Sequence, residues 1–195
     1  MSYEIEIKAR VKDEQLESVK DAISALPGVK ILGSINKFDM YWSRTDDGEP
    51  LFRTRREMSS AGPSILFTAK PTKTKTEKGT EENRELEFRV PDTQWDDILT
   101  FWSGIGLQVC RLKWKNGFHY LYDCEGYLVH IELLDVKYLG WFLEMEICLD
   151  SMEGVDVNAA DRALRDLLVS LGISEDAVEP TGYNKMLMAV GHDKG

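Results

Sequence analysis

The chain has 195 residues, 43% of them hydrophobic and 30% charged, which suits one soluble globular domain and excludes a disordered chain. Its formal net charge of −10 argues against a nucleic-acid partner, since such partners call for a basic field. Cys110, Cys124 and Cys148 show no CxxC spacing and are odd in number, so neither a disulfide framework nor a zinc site is indicated. They read as reduced core residues. The amino terminus lacks a basic stretch followed by an apolar one, and no run approaches ~18 apolar residues. No membrane span is therefore expected, and a cytoplasmic location is the default.

Residues 3–10 alternate as a β-strand, with Ile5, Ile7 and Ala9 on one face and Glu4, Glu6, Lys8 and Arg10 on the other. Asp13 to Leu26 reads as an amphipathic helix with Leu16, Val19, Ile23 and Leu26 on its stripe, stopped by Pro27-Gly28. Residues 29–43 alternate again and end in the turn Asp46-Asp47-Gly48. Strands follow at Leu51–Glu57 and Ser64–Lys70. Residues 71–83, without an apolar side chain, read as a mobile loop.

Residues 84–90 form the next strand, and Pro91-Asp92 opens a helix carrying Trp95, Ile98, Leu99 and Trp102. Four strand-like stretches come next: Leu107–Lys115, Phe118–Asp123, Tyr127–Asp135 and Trp141–Leu149. Asn116-Gly117 and Glu125-Gly126 are the predicted turns among them. Helices are expected at Asn158–Leu171, closed by Gly172, and at Asn184–Val190. Adjacent strands are mostly hairpin-linked, so the fold class is α+β with a largely antiparallel sheet. With about eight strands, closure into a small barrel is feasible. One domain is expected over 1–195, with a core at 3–190 and a tail at 191–195.

The strand faces carry like charges in pairs at i, i+2. They are Glu4/Glu6, Arg53/Arg55, Glu85/Glu87, Lys113/Lys115 and Glu144/Glu146, joined by Lys37, Asp39, Thr68, Lys70 and Arg89. Like charges stacked on one strand face repel unless a counter-ion lies between them. A ring of such strands gives an acidic wall suited to Mg²⁺ or Mn²⁺ and a basic wall suited to phosphate oxygens. His119 and His130 have no carboxylate or second histidine at ligand spacing, and His192 lies in the tail. A nucleophilic His or Cys mechanism therefore finds little support. The five tryptophans read as core or rim packing.

In this order, these residues resemble the CYTH superfamily, the triphosphate tunnel metalloenzymes that include class IV adenylyl cyclases and thiamine triphosphatases. The amino-terminal ExExK signature stands as Glu4-Ile5-Glu6-Ile7-Lys8. The resemblance continues through Lys37-Phe38-Asp39-Met40-Tyr41-Trp42, Leu51-Phe52-Arg53-Thr54-Arg55, Thr68-Ala69-Lys70 and Arg84-Glu85-Leu86-Glu87. It ends in the late Gly…Glu-x-Glu strand, Leu139 to Glu146, and so covers roughly residues 3 to 190.

The resemblance implies an eight-stranded antiparallel closed β-barrel, a tunnel with a polar lumen and helices packed outside. It makes Glu4, Glu6, Glu144 and Glu146 ligands of Mg²⁺ or Mn²⁺. A further acidic ligand is either Asp135, in the family's Leu-Asp context, or Glu132, which alternation puts on the face of His130. Phosphate oxygens fall to Lys8, Arg53, Arg55, Lys70, Arg84, Lys113 and Lys115. Lys113-Trp114-Lys115 stands where many members have Lys-x-Arg, so the bidentate fork is lost there. Gly182-Tyr183 replaces the Ser-Tyr of many cyclase-like members, and Lys185, on a helix plugging the tunnel, is a further phosphate or water contact. Glu4, Glu6, Lys8 and Lys185 are thus the expected catalytic set.

The implied activity is metal-dependent hydrolysis of a triphosphate-bearing small molecule: ATP, tripolyphosphate or thiamine triphosphate. The alternatives are a class IV adenylyl cyclase, making cyclic AMP and pyrophosphate, and a non-catalytic polyphosphate- or nucleotide-binding module. Homodimers occur in the family, although no separate dimerisation segment stands out here.

Overall fold

The computed structural model describes residues 2–75 and 80–194. Its eight strands are β1 (Ser2–Val11), β2 (Lys30–Ser43), β3 (Phe52–Ser59), β4 (Gly62–Lys75), β5 (Glu81–Pro91), β6 (Gln108–Cys124), β7 (Tyr127–Val136) and β8 (Gly140–Leu149). They close into an antiparallel barrel in the order β1-β5-β4-β3-β2-β6-β7-β8. Helices α1 (Leu16–Ser24), α2 (Trp95–Gly104) and α3 (Val157–Ser170) precede a short carboxyl-terminal α4 (Tyr183–Ala189).

Alternation along the strands decides what lies inside. Ile5, Ile7 and Ala9 of β1, Val129, Ile131 and Leu133 of β7, and Leu143, Met145 and Ile147 of β8 all face outward. There they are buried beneath Val19 and Ile23 of α1 and Ala160, Leu164 and Leu168 of α3. Each such aliphatic side chain contributes about 1.5–3 kcal/mol by leaving water. The hydrophobic core therefore sits between barrel and helices, and the alternate, charged positions turn into the lumen. The Asp156 carboxylate accepts from the Asn158 and Ala159 amides and so fixes where α3 begins. On the far side α2 lays Trp95 against Phe38 and Trp102 against Phe52 and Phe67.

One mouth of the barrel is closed. Val136 and Phe142 point inward at that end, and Tyr183 and Met186 of α4 pack on them. Arg10 reaches the Met186 sulfur there at 3.0 Å. Glu4 on β1 and Cys148 on β8 mark the opposite end of the same strands. Among the described residues no helix is long and apolar enough to cross a membrane.

Two sequence expectations are corrected. Much of the loop expected at 71–83 is strand: β4 continues to Lys75 and β5 starts at Glu81, paired as far as Lys75↔Glu81 beyond a bulge between Ala69 and Thr72. Backbone pairing needs no apolar side chain, so composition misled there; residues 76–79 lie outside the described residues. Asn116-Gly117 is not a turn but the middle of the 17-residue β6. Gly117 serves close approach instead, since a Cβ there would lie 1.9 Å from the Leu133 carbonyl oxygen of β7. By contrast, Glu125 (φ 54°) and Gly126 (φ 87°) both take the positive φ of a two-residue hairpin turn.

Gly117→Ala is accordingly expected to destabilise the protein by about 2–3 kcal/mol through overpacking. Gly104→Ala, with open space around it, should be neutral or slightly stabilising. Urea unfolding of the two variants beside the parent checks both, and equal midpoints would contradict the close β6–β7 approach.

Candidate functional site

The registers set the charged faces against one another across the lumen. Between β1 and β8, Glu6 stands opposite Glu146 and Lys8 opposite Glu144. Between β7 and β8, Glu132 stands opposite Glu144 and His130 opposite Glu146. On the other side Asp39 of β2 lies between Arg55 of β3 and Lys113 of β6, and Lys37 lies between Glu57 and Lys115.

Asp39 organises the basic wall. It is fully buried and accepts a bidentate fork from Arg55 at 2.6 and 3.1 Å. Lys113 approaches it at 3.1 Å and Arg53 at 3.9 Å. Burial opposes the charged form, but Arg55, Lys113 and Arg53 outweigh it and hold the carboxyl well below its usual range. Three cations thus crowd one carboxylate, and with Glu87 3.9 Å from Arg53 as the further acid, positive charge remains in surplus. Arg53 donates to Thr68 at 2.8 Å, while its buried Nε has no partner. Lys113 donates to the Tyr41 hydroxyl at 2.8 Å.

The acidic wall is built the opposite way. Lys70 bonds to Glu4 at 3.2 Å, contacts Glu85 and lies 3.9 Å from Glu6. Burial alone would lower the Lys70 ammonium; Glu6, Glu4 and Glu85 hold it above its ordinary range. Even with that cation, burial and the neighbouring Glu146 push Glu4 up to about 9. Burial, with Glu132 and Glu6 nearby, pushes Glu146 up to about 7. The ligand atoms of Glu4, Glu146 and Cys148 lie within 4.8 Å of one another. Carboxylates this crowded, with a lysine already drawn among them, are short of positive charge. The residues fit a divalent cation, and Glu4, Glu6 and Glu146 are the ones that would hold it.

Two ion pairs lie deeper. Lys37 bonds both Glu132 oxygens at 2.5 and 2.6 Å, and Lys115 bonds Glu144 at 2.8 and 3.1 Å. Burial works against ionisation of Glu144, but Lys115 and Lys37 hold it well below the usual carboxylate range. At the plugged end the buried Tyr183 ring lies under Lys8, Lys113 and Lys115, at 4.8, 5.1 and 5.2 Å from its centroid.

Of the site residues expected from sequence, Glu4, Glu6, Lys8, Arg53, Arg55, Lys70, Lys113, Lys115, Glu132, Glu144 and Glu146 occupy lumen-facing strand positions. Asp135 does not. β7 carries no bulge, so Asp135 turns to the outer face, into a surface pocket with Trp141 and Phe118, while Glu132 turns inward. Arg84 also lies on an outward position, between the inward Asn83 and Glu85 of β5. Lys185 is exposed on α4, and the buried Tyr183 is the plug residue that meets the lysines.

Tyr41, Asn83 and Tyr183 also face this interior, and as single neutral residues they leave no charge pattern in the sequence. His119 Nε2 lies 3.2 Å from His130 Nδ1, brought there by β6–β7 pairing that linear spacing does not reveal.

No protein-family model matches the chain, and neither does any curated protein. Solved structures do. The PH1819 protein from Pyrococcus horikoshii OT3 aligns over 96% of this chain and 99% of its own, with TM-score 0.75 and 22% identity. A candidate adenylate cyclase from Vibrio parahaemolyticus aligns over 95% and 98%, with TM-score 0.69 and 17% identity. HpAC1 from Hippeastrum, a candidate adenylyl cyclase with a dominant triphosphatase activity, aligns over 98% and 96%, with TM-score 0.62 and 14% identity. At these identities the likeness shows fold. It is a closed eight-stranded antiparallel barrel with helices outside, the architecture that the sequence resemblance implied.

The raised carboxyls give a pH signature. Between pH 7 and 9 the metal-free fold retains a proton on Glu4, and near pH 7 part of one on Glu146, that the unfolded chain has already released. Stability should therefore fall as pH rises through that window. Asp39, Glu85 and Glu144, with lowered values, act only below the ordinary carboxylate range. The lowered histidines act only below about pH 6.5. Thermal denaturation of chelator-treated protein should show the melting point dropping from pH 7 to 9, with Mg²⁺ or Mn²⁺ cancelling the drop. A flat profile would contradict the crowding of these carboxyls.

Proposed function

We propose that the protein is a divalent-cation-dependent hydrolase of triphosphate-bearing small molecules, with tripolyphosphate, thiamine triphosphate and nucleoside triphosphates as its substrate class. The observation that carries this reading is the separation inside one tunnel of a carboxylate cluster short of positive charge from a basic cluster with positive charge to spare. A triphosphate bearing a divalent cation meets both needs together.

Glu4, Glu6 and Glu146 would hold the cation, and when bound it would supply charge neutralisation on the phosphate oxygens. The remaining work belongs to the chain's own groups. Arg53, with an unpartnered Nε in the lumen, is the best-placed guanidinium for phosphate. Arg55 is committed to Asp39 and keeps that wall in position. Lys113 and Lys115, with Lys8 beside them over Tyr183, form a cationic end at the plug.

With α4 closing that mouth, a triphosphate enters terminal phosphate first and its organic group stays toward Glu4 and Cys148. Glu144, kept ionised by Lys115 and standing opposite Lys8, is placed to orient a water at the terminal phosphorus. Positioning and preorganised charge then supply most of the acceleration. Lys185, exposed on α4, takes no part in this scheme.

Incubation with ATP, tripolyphosphate and thiamine triphosphate in Mg²⁺ or Mn²⁺, followed by phosphorus NMR, is the decisive experiment. Orthophosphate release supports the hydrolase. Cyclic AMP with pyrophosphate assigns a cyclase instead, and tight binding without turnover assigns a binding module. Glu146→Gln should lower kcat by about 100-fold or more while leaving the circular dichroism unchanged. Arg53→Ala should raise KM by about 10- to 100-fold, the effect of losing a charge-assisted hydrogen bond. Parental kinetics in both variants would remove the assignment.

A further inference from the structure

We infer that His119 and His130 form a second metal site in the lumen, an imidazole chelate for a divalent first-row transition ion that is completed when the Glu146 side chain turns from Glu4 and Cys148 toward the rings. It is distinct from the oxygen-rich site of Glu4 and Glu6. The first argument is geometric. Two nitrogen–metal bonds of about 2.1 Å, at the 90–109° angles of octahedral and tetrahedral centres, span about 3.0–3.4 Å. The Nε2 of His119 and Nδ1 of His130 lie 3.2 Å apart, inside that range. The rings lean together at 23° with centroids 5.4 Å apart, so both lone pairs can turn toward one point.

The third ligand comes from the strand register. His130 and Glu146 are direct cross-strand partners on the inward face, and such partners have Cβ atoms about 4.5–5.5 Å apart. Among the described residues Glu146 has no ion pair with a lysine or arginine. Glu132, the direct partner of His119, is by contrast already held by Lys37. That pairing also offsets the nearest positive charge that would oppose a bound ion.

Two imidazoles and one carboxylate leave open positions for water or an oxygen of a bound anion. That donor set favours Zn²⁺, Co²⁺, Ni²⁺ or Mn²⁺ over Mg²⁺, which takes oxygen ligands. Without metal, one ring donates to the other. Chelation moves that proton to the ring nitrogen facing away, so no net proton is released. Because Glu146 also faces Glu6 across β1, a single carboxylate would lie between an oxygen-rich site and an imidazole site.

The test reads binding of a metal alone and does not depend on turnover, so it stands apart from the hydrolase assignment. Chelator-treated protein in excess Mg²⁺ is titrated with Co²⁺ while the visible d–d absorption is followed. One Co²⁺ per chain should bind despite the Mg²⁺, and His119→Ala or His130→Ala should weaken it about tenfold or more.

In the unmodified protein, ring NMR signals of His119 and His130 should shift first. His192, stacked on Tyr138 in the tail, should serve as the unaffected reference, which keeps the test valid if a variant misfolds. Co²⁺ affinity unchanged in the double variant, complete displacement by Mg²⁺, or ring signals that never move would each overturn the site and leave a plain histidine–histidine hydrogen bond.

Discussion

Ion pairs spanning the tunnel make a charged interior compatible with a folded barrel. Removing an ammonium or carboxylate from water costs several kcal/mol per ion, and only close, well-formed pairing offsets that cost. Lys37 on Glu132, Lys115 on Glu144, and Arg55 forked onto Asp39 provide it. Small eight-stranded barrels ordinarily fill their centre with packed side chains. Here long charged side chains fill it, and the apolar packing that stabilises the fold has moved outside, under α1 and α3. Core and site have exchanged the places they occupy in most globular domains.

That exchange ties stability to binding. Lys115, paired with Glu144 in the free protein, is also a group that a polyphosphate would recruit, so anion binding would draw on that pair as well as on the surplus charge around Asp39. The carboxylate left behind then needs a cation. Asp39 answers a different need. By gripping Arg55 while drawing in Lys113 and Arg53, it fixes the basic wall in place, so little reorganisation remains to be done when charge develops in a transition state.

The inward faces were legible from sequence because period-two alternation and like-charge pairs leave a strong mark. Glu4/Glu6, Arg53/Arg55 and Glu144/Glu146 announce themselves without coordinates. Closure of the sheet was not written in the alternation, because β1–β5 and β2–β6 pair across long stretches of chain; the family resemblance supplied it. Gly117 looked like a turn because Asn-Gly usually is one, and only the nearness of the Leu133 carbonyl reveals why glycine stands there. Asp135 and Glu132 were inseparable until the unbulged β7 put them on opposite faces. Tyr183 and the His119–His130 contact depend on one element meeting another, and no local pattern encodes that.

The fold by itself leaves the reaction open, but the layout of charge inside it narrows what the tunnel can bind. A metal-free triphosphate would find its cations around Asp39, yet the crowded carboxyls of Glu4, Glu6 and Glu146, with Lys70 as their one ion-paired cation among the described residues, would oppose it. A divalent cation alone would find carboxylates, yet the surplus charge of Arg53, Arg55 and Lys113 would oppose it. Each partner removes the other's penalty, so their affinities must be coupled, and thermodynamic linkage makes the coupling equal in both directions. On the proposed function, a tunnel arranged this way would discriminate in favour of the cation–triphosphate complex over either component. That selectivity follows from two facing clusters of opposite excess charge and requires no contact with the organic part of the substrate.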